Sequence, residues 1–127
     1  AAVCDFRPKT KYADKVKKED FEATVEFTPV PDILKTLSKE KKGQLLVGFA
    51  AETNDVETYA RGKLVDKSLD YIVANDISTP LGFESEDNHV WLYGSEGLIN
   101  EWGPESKHAI ADKLIHFLQT QIAYVGT

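Results

Sequence analysis

Hydrophobic residues along this chain form two kinds of pattern, continuous runs and helically spaced faces. Strands that are covered on both sides of a sheet appear as continuous apolar runs. The chain has three such runs: Ala1–Cys4, Leu45–Ala50 and Tyr71–Ala74. Apolar residues three and four apart indicate amphipathic helices. This spacing occurs in three stretches: Pro31–Lys41, Asp55–Asp66 and Pro104–Ala123. The alternating order of strands and helices predicts an α/β protein.

Other short segments predict additional strands and the loops between them. Thr24–Phe27 alternates and predicts a short strand, whereas His89–Tyr93 and Leu98–Trp102 flank a glycine-containing turn and predict an antiparallel hairpin. The segment 6–23 has no clean period, and the segment 77–88 carries Pro80, Gly82 and a cluster of acids, so both are predicted to be loops. The sheet is therefore expected to carry an antiparallel addition.

Two helix starts carry local signals. Pro31 suits a first helical turn, where its missing N–H group would have no acceptor, and Asp32 favours the positive end of the helix dipole. Asn54, with Glu57 three residues later, resembles a capping box for the helix that follows.

Polar residues follow the predicted strands and suggest a ligand site. Asp5, the segment Phe49–Glu52 and the pair Asn75–Asp76 stand at or beyond the ends of the three apolar runs. If the strands are parallel, these ends meet at the edge where α/β sheets bind ligands. The nearby start of the Pro31 helix would offer backbone N–H groups to an anion. Asp5 is equally compatible with a simple turn cap.

Charge is distributed unevenly. The 127 residues carry a formal net charge of −6, but residues 7–18 hold six cations and one acid, a net +5. Most such runs are solvated and flexible; the alternative is a mobile clamp for an anion such as a triphosphate, because lysine binds phosphate as a point charge. The acidic balance of the whole chain argues against broad nucleic-acid binding.

Composition excludes several classes of protein. With 42% hydrophobic and 28% charged residues the chain is expected to form one soluble domain. No apolar run is long enough to span a bilayer, no secretory signal is present, and Cys4 is the only cysteine, so we expect a cytoplasmic protein without a disulfide. The dinucleotide and P-loop fingerprints are absent, and no metal-ligand spacing occurs. Because the chain has no methionine and opens in apolar residues, we expect it to be a fragment.

A series of segments resembles one enzyme family. They occur in this order: AAVCDFRP at 1–8, KVKK at 15–18, PDIL at 31–34, LVGFAAET at 46–53, ARGKLVDKSLDYIVAND at 60–76 and SKHAIADKL at 106–114. Together they resemble the second half of phosphopantothenate–cysteine ligase, the carboxy-terminal part of the bifunctional coenzyme A biosynthesis flavoprotein. Cys4 and Val30 depart from the usual residues, without touching the matched charges.

This resemblance implies a reaction, partners and a fold. The family activates 4′-phosphopantothenate with CTP (ATP in eukaryotic relatives) and Mg²⁺, forms an acyl-cytidylate, and joins it to the amine of cysteine. It implies a homodimer, a Rossmann-like three-layer sheet, mainly parallel with the hairpin addition, and FMN only where a decarboxylase domain precedes.

The resemblance also implies roles for individual residues. Asp5 corresponds to a carboxylate at the nucleotide, and Lys15 to the catalytic lysine of a flap that Lys17 and Lys18 complete. The remaining nucleotide-contacting positions are Pro31, Asp32, Ile33, Leu34, Phe49, Lys63 and Lys67. By their pattern alone, Phe49 fits a core position and the two α-helical lysines fit a solvated face. Metal ligands are not implied for any residue.

Two parts of the family pattern are missing from this sequence, the glycine-rich phosphate-binding stretch and an asparagine that stabilises the acyl intermediate. The chain is therefore expected to be the C-terminal portion of the synthetase domain, inactive alone. The alternative function is a catalytically incomplete nucleotide-binding or dimerisation fragment of that enzyme. A general NAD(P)-binding domain is disfavoured because its fingerprint is missing.

Overall fold

A computed structural model describes residues 3–21, 23–78 and 86–125 of the chain. The strands and helices, in chain order, are β1 (Phe6–Pro8), β2 (Phe27–Pro29), α1 (Ile33–Glu40), β3 (Val47–Glu52), α2 (Val56–Asp66), β4 (Tyr71–Asp76), β5 (Asp87–Gly94), β6 (Gly97–Ser106) and α3 (Lys107–Val125). A 3-10 turn at Lys18–Asp20 interrupts the connection between β1 and β2. None of the helices in these described parts has the length and apolar character that crossing a membrane requires.

The main sheet is mixed. Its four strands lie in the order β3-β4-β5-β6; β3 and β4 are parallel, with α2 as their crossover, and the other two neighbouring pairs are antiparallel. The predicted hairpin is confirmed as β5 and β6. The expectation of a mainly parallel sheet is wrong for the described residues, because two of the three strand pairs are antiparallel and Val3 and Cys4 add no strand to the sheet. Val3 and Cys4 are irregular and exposed, and Ala1 and Ala2 lie outside the described residues.

Helices cover both faces of this sheet, and each face has its own core. The α2 face buries Ala50, Ala60, Leu64, Leu69, Ile72, Ala74 and Tyr93. The α3 face buries Val73, Val90, Leu92, Ile110 and Leu114. Consecutive residues of β4 alternate between the two cores, as the two-residue period of a strand requires. Each fully buried Ile or Leu contributes roughly 1.5–3 kcal/mol, so these two clusters are the main stabilising feature of the fold.

Some apolar residues within the three predicted helical stretches are exposed. Ile122 is 60% exposed and Tyr59 is 51% exposed, although both fit a helical apolar face. Ile33 and Leu37 of α1 are also exposed. The helical spacing was correct in each case, but only the part of each face that meets the sheet is covered.

Helix boundaries follow local hydrogen bonds. α1 begins after Asp32, which is the N-cap and not a first-turn residue. The predicted Asn54–Glu57 capping box is wrong: the N-cap of α2 is Asp55, which has a left-handed backbone (φ 44°) and makes no side-chain cap bond.

α3 begins at Lys107, three residues later than predicted. Residues 104–106 belong to β6, where Glu105 is paired with Asn88 and Ser106 with Asp87. Pro104 lies beside a register shift in this strand, where the ladder does not need its missing N–H group. The Ser106 hydroxyl then accepts a hydrogen bond from the backbone N–H of Ala109 (3.1 Å).

β1 and β2 form a separate two-stranded antiparallel ribbon, with Phe6 opposite Pro29 and Pro8 opposite Phe27. The strand predicted at Thr24–Phe27 therefore begins three residues later. None of the described residues from 3 to 31 is buried. The predicted loop at 77–88 lies outside the described residues over 79–85, and its last two residues belong to β5.

Candidate functional site

A cleft of about 370 Å³ lies beside β3, the edge strand of the sheet that the described residues form, next to the first turn of α1 and the end of α2. It is lined by Val3, Cys4, Asp5, Pro31, Asp32, Ile33, Leu34, Val47, Phe49 and Lys67. These residues come from four separate stretches of the chain. Seven of them are residues that the family resemblance assigns to a nucleotide: Asp5, Pro31, Asp32, Ile33, Leu34, Phe49 and Lys67.

Pairing within the ribbon brings Asp5 to this cleft. The backbone N–H of Val30 donates to the carbonyl oxygen of Asp5 (2.9 Å), which extends the β1–β2 ladder by one pair. Asp5 therefore lies beside Pro31 and the start of α1. Asp5 does lie near the start of the Pro31 helix, as the sequence analysis expected. It does not, however, follow a strand of the main sheet, which was the reason given for that expectation.

The carboxyl ends of β3 and β4 do coincide, with Glu52 opposite Asp76, but neither residue lines the cleft. The cleft instead contacts the first half of β3, at Val47 and Phe49. Asp76 serves a local turn: its carboxylate accepts from the backbone N–H of Ser78 (2.8 Å), and hydrogen bonds from the side chain and backbone of Ser78 lower the pKa of Asp76.

Asp32 and Lys67 join two helix ends inside the cleft. One carboxylate oxygen of Asp32 accepts from the backbone N–H of Lys35 (3.1 Å), and the other lies 3.1 Å from the ammonium of Lys67, the C-cap of α2. The pKa of Asp32 is below its usual value, chiefly because of the hydrogen bond from the backbone of Lys35 and further because of Lys67. The cleft wall thus contains a positive charge that is held in place before any ligand arrives.

The first turn of α1 adds hydrogen-bond donors. Asp32 accepts from Lys35, but the N–H groups of Ile33 and Leu34 precede any intrahelical acceptor. Both residues line the cleft. Together with the helix dipole, these groups favour a negatively charged ligand on this side.

Phe49 supplies an apolar surface. Its side chain is 70% exposed, so the alternative of a core position is wrong. An exposed aromatic ring at the wall of a cleft can stack on a planar group such as a nucleobase.

Lys63 lies one helical turn before Lys67 on α2, but it does not line the cleft. Its ammonium is 2.6 Å from a carboxylate oxygen of Glu52, at the end of β3. Both α2 lysines are therefore paired and partly buried, which corrects the alternative of a solvated face.

The basic loop is not assembled with the cleft. Lys15, Lys17 and Lys18 are exposed, Lys18 opens the 3-10 turn, and none of the three lines the cleft. Lys9 pairs with Glu26 (3.4 Å) near the base of the loop. The loop ends are fixed by the ribbon, while the lysine triplet stays in solvent.

Sequence reasoning assigned no role in the site to Val47, Val3 or Cys4. Glu52 was placed at the predicted ligand edge only as the end of the segment Phe49–Glu52, and its pairing with Lys63 was not predicted. The expectation that Cys4 is buried is wrong, because the thiol-bearing residue is exposed and lines the cleft.

A family profile described as the DNA/pantothenate metabolism flavoprotein C-terminal domain matches residues 1–122. The chain belongs to this family. It is 51% identical over 116 residues to the coenzyme A biosynthesis bifunctional protein CoaBC of Bacillus subtilis (strain 168), covering 91% of this chain and 29% of that protein. It is 43% identical over 102 residues to the protein of the same name from Escherichia coli (strain K12), covering 76% of this chain and 25% of that protein.

Another relative carries a different name. The chain is 38% identical over 124 residues to a cysteine/cysteine sulfinic acid decarboxylase from an unknown prokaryotic organism, covering 96% of this chain and 34% of that protein. This chain therefore spans about a quarter to a third of the length of these curated relatives.

Solved structures agree with the family assignment. The crystal structure of the C-terminal domain of CoaBC superposes with a TM-score of 0.73 at 35% identity, covering 97% of this chain and 52% of that one. A DNA/pantothenate metabolism flavoprotein from Streptococcus pneumoniae has the same fold, with a TM-score of 0.74 at 18% identity over 94% of this chain and 60% of that one. The resemblance to the C-terminal part of the bifunctional coenzyme A biosynthesis flavoprotein is confirmed, and the chain is a homologue of part of a coenzyme A biosynthesis enzyme.

Proposed function

We propose that the cleft along β3 binds the nucleotide of a CTP-dependent ligase that joins 4′-phosphopantothenate to cysteine. One observation carries this proposal: seven residues that the family pattern associates with a nucleotide, drawn from distant parts of the chain, line a single cleft. The spacing of these residues in the sequence does not require them to converge. Their convergence brings together an aromatic surface, a carboxylate, a cation and the start of a helix.

Each of these groups suits one part of the nucleotide. Phe49 is assigned to the base, which an exposed ring can stack against. The Asp5 carboxylate is assigned to the ribose, because it can accept from the sugar hydroxyls. Lys67 and the first N–H groups of α1 are assigned to the phosphates.

The proposed chemistry has two steps. A carboxylate oxygen of 4′-phosphopantothenate attacks the α-phosphorus of CTP, and the bond to pyrophosphate breaks, which gives the acyl-cytidylate. The amine of cysteine then attacks the acyl carbon, loses a proton, and expels CMP. Lys15, brought in by the loop, is assigned to offset the negative charge that builds up on the phosphates in the first step.

Mg²⁺ belongs to the proposal as a companion of the nucleotide. It is usually held by one or two carboxylates together with substrate phosphates and water. Within residues 3–21, 23–78 and 86–125, no three His, Cys, Asp or Glu side chains converge on one point. Asp32 is already shared by Lys35 and Lys67. These residues fit an ion that would arrive with the phosphates and be held chiefly by them and by water, and the ion would neutralise phosphate charge.

The complete enzyme requires more than these residues. The chain covers 52% of the solved CoaBC domain, so we propose that it is the C-terminal portion of one Rossmann-like domain. The remaining part of that domain, and a second copy in a homodimer, would supply the sites for 4′-phosphopantothenate and cysteine. FMN would bind only to a preceding decarboxylase domain. The runner-up function, an incomplete nucleotide-binding or dimerisation fragment, describes what these residues do in isolation.

The test is pyrophosphate release by the complete gene product. Release from CTP that depends on 4′-phosphopantothenate, followed by cysteine-dependent formation of CMP, is the expected result. ATP in place of CTP measures the nucleotide preference. Binding of CTP without any release would favour the fragment function, and neither binding nor release with either nucleotide would overturn the proposal.

A further inference from the structure

We propose that Glu52 is a positioning residue that holds the ammonium of Lys63 for the nucleotide. This inference rests on the proposed nucleotide site and adds a residue to it. Lys63 is associated with the nucleotide by the family pattern, yet it does not line the cleft, and its ammonium is 2.6 Å from a carboxylate oxygen of Glu52. What places the charge of Lys63 is therefore Glu52.

Glu52 stands on a rigid part of the fold. It is the last residue of β3 and is paired with Asp76 of β4, and its carbonyl oxygen accepts from the backbone N–H of Ile77 (2.9 Å). Two and four residues earlier, Ala50 and Gly48 face the core beneath α2. The alternation of β3 directs the Glu52 side chain to that same face, towards the helix that carries Lys63.

Burial distinguishes this carboxylate from the others. The Glu52 side chain is 17% exposed, the lowest value for the acidic partner in any ion pair of the described residues, whereas Lys63 is 43% exposed. A largely covered carboxylate holds its partner more firmly than an exposed one, because partly buried ion pairs are screened less by solvent and salt. Lys63 is thus tied at its tip while part of its side chain remains open to solvent.

The position of Lys63 next to Lys67 connects the pair to the cleft. Lys63 lies one helical turn before Lys67, which lines the cleft, and residues four apart on a helix are neighbours on its surface. Phosphates bound at Lys67 would therefore reach Lys63 by continuing along α2. Fixing a flexible lysine beforehand lowers the ordering cost of binding.

A second ion pair provides a matched control. Lys41 and Asp70 are also 2.6 Å apart, with side chains 27% and 26% exposed, and Asp70 also accepts from the backbone N–H of Leu46 (2.7 Å). This pair has the same length and is also partly buried, but neither residue is among the positions that the family pattern associates with the nucleotide. Breaking it should lower stability without affecting the nucleotide.

The experiment is a double-mutant cycle on the complete gene product. CTP affinity is measured by calorimetry, with Mg²⁺ present and 4′-phosphopantothenate absent, for Glu52→Ala, Glu52→Gln, Lys63→Met and both double variants. Thermal unfolding is recorded for each, and Asp70→Ala is the control. We expect Glu52→Ala to weaken CTP binding about tenfold, within the range for residues in contact. Glu52→Gln should have a smaller effect, because its amide oxygen can still accept from Lys63.

The decisive result is in the Lys63→Met background. If Glu52 acts through Lys63, its substitution there has no further effect on CTP affinity, and Asp70→Ala changes the midpoint of unfolding but not the affinity. An equal loss in both backgrounds, or tighter binding by Glu52→Gln, would overturn the inference. Should Glu52→Ala not fold, the cycle is completed with Glu52→Gln. Absence of CTP and ATP binding by the unsubstituted protein would instead overturn the proposed function, and this inference with it.

Discussion

The cleft wall and the basic loop both carry lysines of the family pattern, but they are held in opposite ways. In the wall, Lys67 is 25% exposed and lies 3.1 Å from Asp32. In the loop, Lys15, Lys17 and Lys18 are exposed and form no ion pair within the described part of the chain. The same residue type is thus held once in an ion pair and once exposed to solvent without one.

This difference separates binding from chemistry. A charge that is fixed before the ligand arrives acts on bound substrate and transition state alike, which changes affinity. A charge that arrives by loop closure can act mainly when the reaction is under way, which changes turnover. If the proposed function is correct, substitutions in the two regions should alter different kinetic constants.

The largest effect is expected from Lys15→Gln. Removing a cation that stabilises developing charge should lower kcat by about 100- to 1000-fold, by analogy with the loss of one oxyanion donor. CTP affinity and the midpoint of thermal unfolding should change little, because Lys15 is exposed and supports no core. The measurement is steady-state pyrophosphate release together with a thermal scan.

The matched control for this prediction is Lys11→Gln, an exposed cation of the same loop that the family pattern does not include. It should leave kcat near that of the unsubstituted protein. If Lys11→Gln and Lys15→Gln are equally impaired, the loop acts by its total charge and the specific role of Lys15 is wrong.

A smaller effect, on KM and not mainly on kcat, is expected from Lys67→Met. The methionine keeps most of the aliphatic stem but cannot donate to phosphate. The KM for CTP should rise about 10- to 100-fold, as for a hydrogen bond to a charged group worth about 1.5–3 kcal/mol. Because a fixed charge acts on bound substrate and transition state alike, kcat should fall much less. A loss in kcat with unchanged KM would contradict the assignment of Lys67 as a pre-positioned binding group.

The sequence was sufficient to predict the buried part of the fold. β3, β4 and the β5–β6 hairpin were predicted because their apolar residues meet the two cores, and α2 because Ala60 and Leu64 are buried at helical spacing. The ribbon was predicted only partly, because it has no buried face. Phe6 and Phe27 are exposed, so no alternation marks β1 and only the backbone pairing defines it.

The site could be predicted as a set of residues but not as an arrangement. Family motifs supplied Asp5, Phe49 and Lys67. The contact between the Asp5 and Asp32 segments, however, depends on a backbone hydrogen bond between residues 5 and 30. The Glu52–Lys63 pair joins a strand end to the next helix. Such non-local contacts depend on packing angles, which no spacing in the sequence specifies.

The smallest effect concerns the helix start in the cleft wall, and it depends on pH. The pKa of Asp32 is lowered in the folded protein by the backbone N–H of Lys35 and by Lys67. Its charge therefore contributes stability above the unfolded pKa, about 3.9, and this contribution is lost as the pH falls through the folded pKa. Asp32→Asn keeps an N-cap acceptor but cannot titrate. The Asp32 side chain is 39% exposed, so solvent screens its charge. At pH 7 the free energy of unfolding of Asp32→Asn should therefore be lower than that of the unsubstituted protein by about 1 kcal/mol or less. Urea unfolding of both proteins from pH 7 to 3 should show this difference shrinking at acid pH, and a constant difference would show that Asp32 acts without its charge.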